Sequence, residues 1–165
     1  MADLTFTRGD LATASAVLVA SASALVERGE ALWPPPSLRP DRLLRQYPRE
    51  GWRVAWQGGQ AVGTYVLLGA DPLFWPEDPP GEALYLHKLG VHPAAQGQGL
   101  AHRLLAEAVR ETREAGRPFL RLDTAANRLK LRGLYETAGF RAVDEREVGG
   151  FRVVRYELPL AGWAP

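Results

Sequence analysis

Apolar and polar residues alternate from Leu4 to Thr7, and beyond Asp10 the spacing changes to that of a helix. The first segment predicts a short strand. The second predicts a helix capped by Asp10, running to about Arg28 and ended by Gly29. Trp33-Pro34-Pro35-Pro36-Ser37 excludes a helix in its middle and predicts a stiff, extended connection. Arg39 to Tyr47 predicts a second short helix, with Pro40 and Asp41 in its first turn. Trp52 to Gln57 and Ala61 to Gly69 read as strands joined at Gly58-Gly59, a hairpin signal. Asp71 to Gly81, rich in Pro, Asp and Glu, predicts a loop, and Ala83 to Val91 a further strand.

After that strand the pattern changes abruptly. Gln96-Gly97-Gln98-Gly99 separates the apolar stretch from a strongly amphipathic helix. The helix carries Leu100, Ala101, Leu104, Leu105, Ala108 and Val109 on one face and Arg103, Glu107, Arg110, Glu111 and Glu114 on the other. Gly116 and Pro118 stop it. Phe119 to Asp123 predicts a strand, Asn127 to Ala138 a helix capped by Gly139, and Phe140 to Glu147 with Phe151 to Leu158 a closing hairpin turned at Gly149-Gly150. The order β-α-α-β-β-β-α-β-α-β-β contains no repeat. It predicts one α+β domain over residues 1–165, a mixed sheet with helices on both faces.

The two glycines at the head of the third helix change the reading from fold to chemistry. Gly97 and Gly99 permit positive φ and close approach of backbone to a ligand. Their amides, with those of Gln98 and Leu100, lie where the first N–H groups of a helix lack internal partners and favour anions. A dinucleotide fingerprint is not met, because His102 stands where Gly-x-Gly-x-x-Gly needs its third glycine.

Composition narrows the classes further. The 165-residue chain is 46% apolar and 24% charged, ordinary for a soluble globular protein. The absence of cysteine excludes disulfides, thiolate metal sites and a cysteine nucleophile. A formal net charge of +1 gives no general pull toward nucleic acid or anionic lipid. Leu11 to Val26 lacks a basic leader, is interrupted by Thr13, Ser15, Ser21 and Ser23, and is too polar to span a bilayer. A cytoplasmic location is expected.

Two motifs in series resemble the GCN5-related N-acetyltransferase (GNAT) superfamily over almost the whole chain. The acyl-CoA signature Gln/Arg-x-x-Gly-x-Gly/Ala stands as Gln96-Gly97-Gln98-Gly99-Leu100-Ala101, flanked by Val91-His92-Pro93 and Leu104-Leu105. The second, Asn…Leu…Tyr-Glu-x-x-Gly-Phe, stands as Asn127…Leu131…Tyr135-Glu136-Thr137-Ala138-Gly139-Phe140. The resemblance implies a GNAT-like, mostly antiparallel central sheet. Its implied reaction is transfer of an acetyl group from acetyl-CoA to a primary amine, by direct attack in a ternary complex without a metal. A non-catalytic acyl-CoA sensor of the same fold is the alternative.

The resemblance also implies roles for individual residues. The amides of residues 96 to 101 would hold the pyrophosphate, and Leu89, Gly90 and Val91 would present backbone groups to the thioester. Asn127 sits one residue further from Tyr135 than in many relatives, so either Asn127 or Arg128 takes the place that contacts the pantetheine arm. Tyr135 matches the tyrosine that protonates the leaving thiolate; the competing reading is a core tyrosine that only packs its ring. Tyr85, His87, Leu89 and Val91 share a strand face by alternation. Tyr85 and His87 stand where arylalkylamine acetyltransferases carry two proton-relaying histidines. His87 is therefore the first candidate base, as a histidine's ordinary pKa of about 6.5 suits the task; Tyr85 and Glu82 follow. His87 as a satisfied core histidine is the competing reading.

His92 leads into the turn, and His102 falls on the helix surface. The acceptor, a small-molecule or peptide amine, would be selected by Ala31 to Leu38, Asp71 to Gly81 and Glu145 to Arg152. There Trp33, Phe74 and Trp75 offer an aromatic wall, and Glu77, Asp78 and Glu82 an attraction for cations. In relatives a closing hairpin often pairs two subunits, which makes a homodimer an expectation.

Overall fold

Periodicity resolves into eleven helices and strands in the computed structural model, which describes residues 3–163. In chain order they are β1 (Thr5–Arg8), α1 (Leu11–Glu27), α2 (Pro40–Gln46), β2 (Trp52–Gln57), β3 (Gln60–Leu68), β4 (Ala83–Val91), α3 (Leu100–Glu114), β5 (Phe119–Ala125), α4 (Leu129–Thr137), β6 (Arg141–Val148) and β7 (Phe151–Pro159). The order is the expected one. The strands form one sheet in the order β1-β2-β3-β4-β5-β7-β6. β4 and β5 run parallel, whereas β1–β2, β2–β3, β5–β7 and β7–β6 are antiparallel. The fold is α+β with a mixed, mostly antiparallel sheet. No helix among the described residues is long and apolar enough to cross a membrane.

The chain divides into two compact units. The first comprises the chain as far as Leu67 together with Lys88–Leu104. Asp10 caps α1 by accepting from the Thr13 amide at 3.1 Å. The helix buries Leu11, Ala14, Val17, Leu18 and Ala22. The extended connection expected at the prolines is partly wrong, because Pro35–Leu38 is a single 3-10 turn. Prolines at its start lack only donors that a helix's first residues would leave unused. The Ser37 amide donates to the Pro34 carbonyl at 2.9 Å, and Leu38 is fully buried.

Two glycines in this unit are there for room. A Cβ on Gly63 would stand 2.7 Å from Leu104 Cδ1, and one on Gly90 2.9 Å from Leu18 Cδ2. At Gly90 the crowding comes from Leu18, on α1.

The second unit comprises Leu68–His87 and everything from Leu105 onward. The parallel ladder between β4 and β5 runs from Ala83↔Phe119 to Leu86↔Leu122. Trp75, Ala83 and Tyr85 form a core cluster with Leu68, Phe74 and Phe119 against it. Glu111, expected on the polar face of α3, is buried, as is Thr112. Seven residues beyond Leu104 is almost two full turns, so Glu111 falls on the apolar stripe.

Across β5, β7 and β6 the register sets charges in two rows, Arg121–Glu157–Arg141 and Asp123–Arg155–Asp144. Each row alternates in sign, which is the favourable cross-strand arrangement. Arg121 donates to Glu157 at 2.6 Å and Arg155 to Asp144 at 2.7 Å. The guanidiniums of Arg155 and Arg121 lie 4.3 and 5.3 Å from the Trp75 ring centroid.

Candidate active site

In the first unit, β4 hands over to the glycine loop through a short turn, Pro93–Ala95. His92 fixes that turn: its amide donates to Val62 carbonyl at 2.8 Å, and its Nδ1 accepts from the Ala94 amide at 3.1 Å. Gln96, Gly97, Gln98 and Gly99 are exposed, and Leu100 is buried. Gly97 and Gly99 have φ of +81° and +70°, and a Cβ on either would meet nothing within 4 Å. Their need is conformational: these φ values are strained for any L-residue with a Cβ. The first intrahelical bond runs from the Arg103 amide to the Gly99 carbonyl at 3.3 Å. Earlier amides therefore lie outside the ladder of α3 and are placed to receive an anion.

β4 does not keep the alternation expected of it. Lys88 has φ of +54°, a conformation uncommon for a non-glycine residue. It interrupts the period of two, so Tyr85 and His87 do not share a continuous face with Leu89 and Val91 on alternation alone. Lys88 Nζ stands 4.6 Å from the centroid of the Trp33 ring, which gives that loop aromatic a cation–π contact.

In the second unit, the two β4 candidates have different surroundings. Tyr85 is buried, and its hydroxyl donates to Asp78 Oδ2 at 2.6 Å. Burial, then the Asp78 carboxylate, holds its pKa well above the ordinary tyrosine value. That hydroxyl is part of the Arg121 ion network. His87 lies with Nε2 2.8 Å from Asp71 Oδ2, and the Phe74 ring is tilted against it at 6.1 Å. Asp71 also begins a turn, accepting from the Phe74 amide through Oδ1 at 3.2 Å and from the Trp75 amide through its carbonyl at 2.8 Å. Ligand-type atoms of Asp71, His87 and Asp123 all lie within 4.8 Å of one another. A tetrahedral cation would hold two such atoms about 3.3 Å apart; the Asp71–His87 distance is that of a hydrogen bond.

Tyr135 sits on α4, buried, with Phe140 at 5.8 Å and Tyr156 at 6.1 Å between ring centroids. The Tyr-Glu-x-x-Gly-Phe motif has a local explanation. Gly139, at φ of +103°, ends the helix, and the Phe140 amide returns to the Tyr135 carbonyl at 3.0 Å. That turn brings the Phe140 ring onto Tyr135. Glu136 accepts from the Tyr156 hydroxyl at 2.6 Å. Burial, reinforced by the charge of Asp123, pushes the Tyr135 pKa well above the ordinary value. Asn127 and Arg128 were expected inside α4 but precede it: β5 continues to Ala125, and Arg128 takes the cap position with φ −92° and ψ 77°. Asn127 is exposed there.

The profile of the acetyltransferase (GNAT) family matches residues 22–140. The chain belongs to the GNAT family. The uncharacterized N-acetyltransferase YvbK of Bacillus subtilis (strain 168) is 25% identical over 93 residues, 55% of this chain and 54% of that protein. The uncharacterized N-acetyltransferase YjgM of Escherichia coli (strain K12) is 32% identical over 107 residues, 63% of this chain and 60% of that protein. The chain thus spans between half and two thirds of the length of these curated relatives. Among solved structures, yncA of Salmonella typhimurium, with its cofactor acetyl-CoA, is 18% identical with a TM-score of 0.67, covering 99% of this chain and 97% of that one.

Within this GNAT chain, several residues expected to face an acceptor are engaged elsewhere. Trp75 is buried in the core against the guanidiniums of Arg121 and Arg155. Glu77 is paired with Arg146 and Arg155, and Asp78 and Glu82 with Arg121. These carboxylates are neutralised within the protein. Asp71, Asp123 and Tyr156, which surround His87 and Tyr135, escaped the sequence reading. Their proximity comes from sheet register and a loop turn, for which linear spacing carries no signal.

Proposed function

We propose that the chain is an acetyltransferase that moves the acetyl group of acetyl-CoA to a primary amine, by direct attack in a ternary complex within a single domain. The observation that carries this reading is the open loop of residues 96–101, with both glycines at positive φ and its amides at the head of a 15-residue helix. Such a cradle suits a pyrophosphate. Family resemblance assigns the thioester to the backbone of Leu89, Gly90 and Val91, where fixed amides would stabilise the developing oxyanion. Asn127 or Arg128 would meet the pantetheine arm.

Tyr135 is the proposed acid. Its hydroxyl keeps its proton at neutral pH, so it enters the reaction as a donor to the departing sulfur. His87 is the proposed base, taking a proton from the ammonium before the free amine attacks the carbonyl carbon. Tyr85 is set aside because its hydroxyl already donates to Asp78. The acceptor class is a small-molecule or peptide amine, and the compartment the cytoplasm.

Calorimetric titration with acetyl-CoA, followed by a thiol-release screen of amino acids, polyamines, arylalkylamines and short peptides, tests this function. Binding followed by turnover on at least one amine is expected. Binding with no turnover on any amine would instead make the chain an acyl-CoA sensor.

A further inference from the structure

Residues 96–99 are exposed, yet they are pinned on both sides by buried residues, Ala95 before them and Leu100 after them. The pin ahead of them is the turn Pro93–Ala95, and His92 holds it with backbone and side chain together. The His92 amide donates to the Val62 carbonyl of β3 at 2.8 Å, and its carbonyl accepts from the Ala95 amide at 2.9 Å. Any residue at position 92 could make those two bonds. The third depends on the side chain: Nδ1 accepts from the Ala94 amide at 3.1 Å. Pro93 has no N–H, so the Ala94 amide is the first donor of the turn. Capping that donor is a task usually given to the oxygen of Asn, Asp or Ser. Here an imidazole nitrogen fills the place. To accept, Nδ1 must offer its lone pair, so the neutral ring carries its hydrogen on Nε2.

We infer that His92 is a positioning residue for acetyl-CoA: by capping the Pro93–Ala95 turn, its Nδ1 presets the loop of residues 96–101 for the pyrophosphate. The inference rests on the proposed reading of that loop. No proton moves and no charge on His92 is used; what position 92 must supply is a short-reaching hydrogen-bond acceptor. A loop already held in shape loses less freedom when a ligand binds. Removing the cap lowers the share of molecules whose loop is ready, and the apparent affinity falls with that share. A cap worth ~1 kcal/mol corresponds to about fivefold.

Three variants separate the cap from the ring and from charge. His92→Phe keeps a ring without an acceptor, His92→Asn keeps an acceptor without the ring, and His92→Arg brings a positive charge without an acceptor. Calorimetric titration with acetyl-CoA is expected to give a Kd about fivefold higher for the Phe and Arg variants. The Asn variant is expected within about twofold of the parent, since its side chain caps in the same way. In the thiol-release assay His92→Phe should raise KM for acetyl-CoA in the same proportion and leave kcat at saturating acetyl-CoA unchanged. Should that variant fail to fold, His92→Ala carries the same comparison. The chain has three histidines, so nitrogen-15 NMR resolves each ring, and loss of a signal in His92→Asn identifies His92; its neutral ring is expected in the Nε2–H form. Equal affinity in the parent and His92→Phe, or a neutral His92 found as Nδ1–H, would overturn the inference and leave the reading of the loop standing. So would parental affinity in His92→Arg with weak binding in His92→Asn, because charge and not the cap would then be in use. A parent that binds no acetyl-CoA would remove the reading of the loop itself, and the inference with it.

Discussion

Burial and the charge of Asp123 act on the Tyr135 hydroxyl in the same direction, both favouring the protonated form. Phe140 and Tyr156 hold the ring in place, so removing only the oxygen leaves the packing intact. Tyr135→Phe is therefore expected to lower kcat at least tenfold with acetyl-CoA affinity nearly unchanged, measured by thiol release and calorimetry. Equal turnover in the two proteins would return Tyr135 to a packing role. The readings of Tyr135 and His87 rest on side-chain type at a position in a motif, which a sequence can carry. Asp71 was not legible. An aspartate opening a Pro-rich loop reads as a turn former, and only the folded chain shows its second oxygen on a histidine. Glu77, Asp78 and Glu82 misled for the same reason: in sequence a carboxylate is merely available, and in the fold each has an arginine.

At the scale of elements, the absence of a side chain at Gly63 leaves room for Leu104 of α3. Gly63→Ala places a methyl group 2.7 Å from Leu104 Cδ1 and 3.3 Å from the Gly90 carbonyl oxygen. Overpacking of this kind costs about 1–3 kcal/mol, so calorimetry should show a melting temperature lower by roughly 2–12 °C. No change would mean that Leu104 moves aside freely. Helix and strand existence was legible throughout, since each amphipathic stripe or alternating run buries its apolar face. Ends and interruptions were less so. The 3-10 turn at Pro35–Leu38 follows from the burial of Leu38, and the break in β4 from one torsion at Lys88. Neither leaves a periodic trace.

Across the whole molecule, the charged rows on β5, β7 and β6 set the response to acid. Hydrogen bonds from Arg155 hold the Asp144 carboxyl below its ordinary value, against the effect of burial. Burial raises Glu157, but the hydrogen bonds of Arg121 and Arg141 outweigh it and leave its pKa lowered. Lowered carboxylate values stabilise the fold above about pH 4, and that stability is lost as the pH falls through the folded values. Melting temperature should decline below about pH 4 and decline less steeply in Arg155→Met. At neutral pH that variant should already be less stable by about 2 kcal/mol, the scale of a charged hydrogen bond, or roughly 4–8 °C. A parallel acid profile in the two proteins would show that the row through Arg155 contributes nothing. The glycines divide along another line: Gly63 and Gly90 are required for their size, Gly97 and Gly99 for their handedness. With open space around Gly97 and φ of +81°, L-alanine there is strained by about 1–2 kcal/mol, about a tenfold loss of acetyl-CoA affinity. Its mirror image has no such conflict. A chain assembled with D-alanine at position 97 is expected to bind acetyl-CoA as the parent does, which makes chirality, rather than bulk, the property that the loop of residues 96–101 selects.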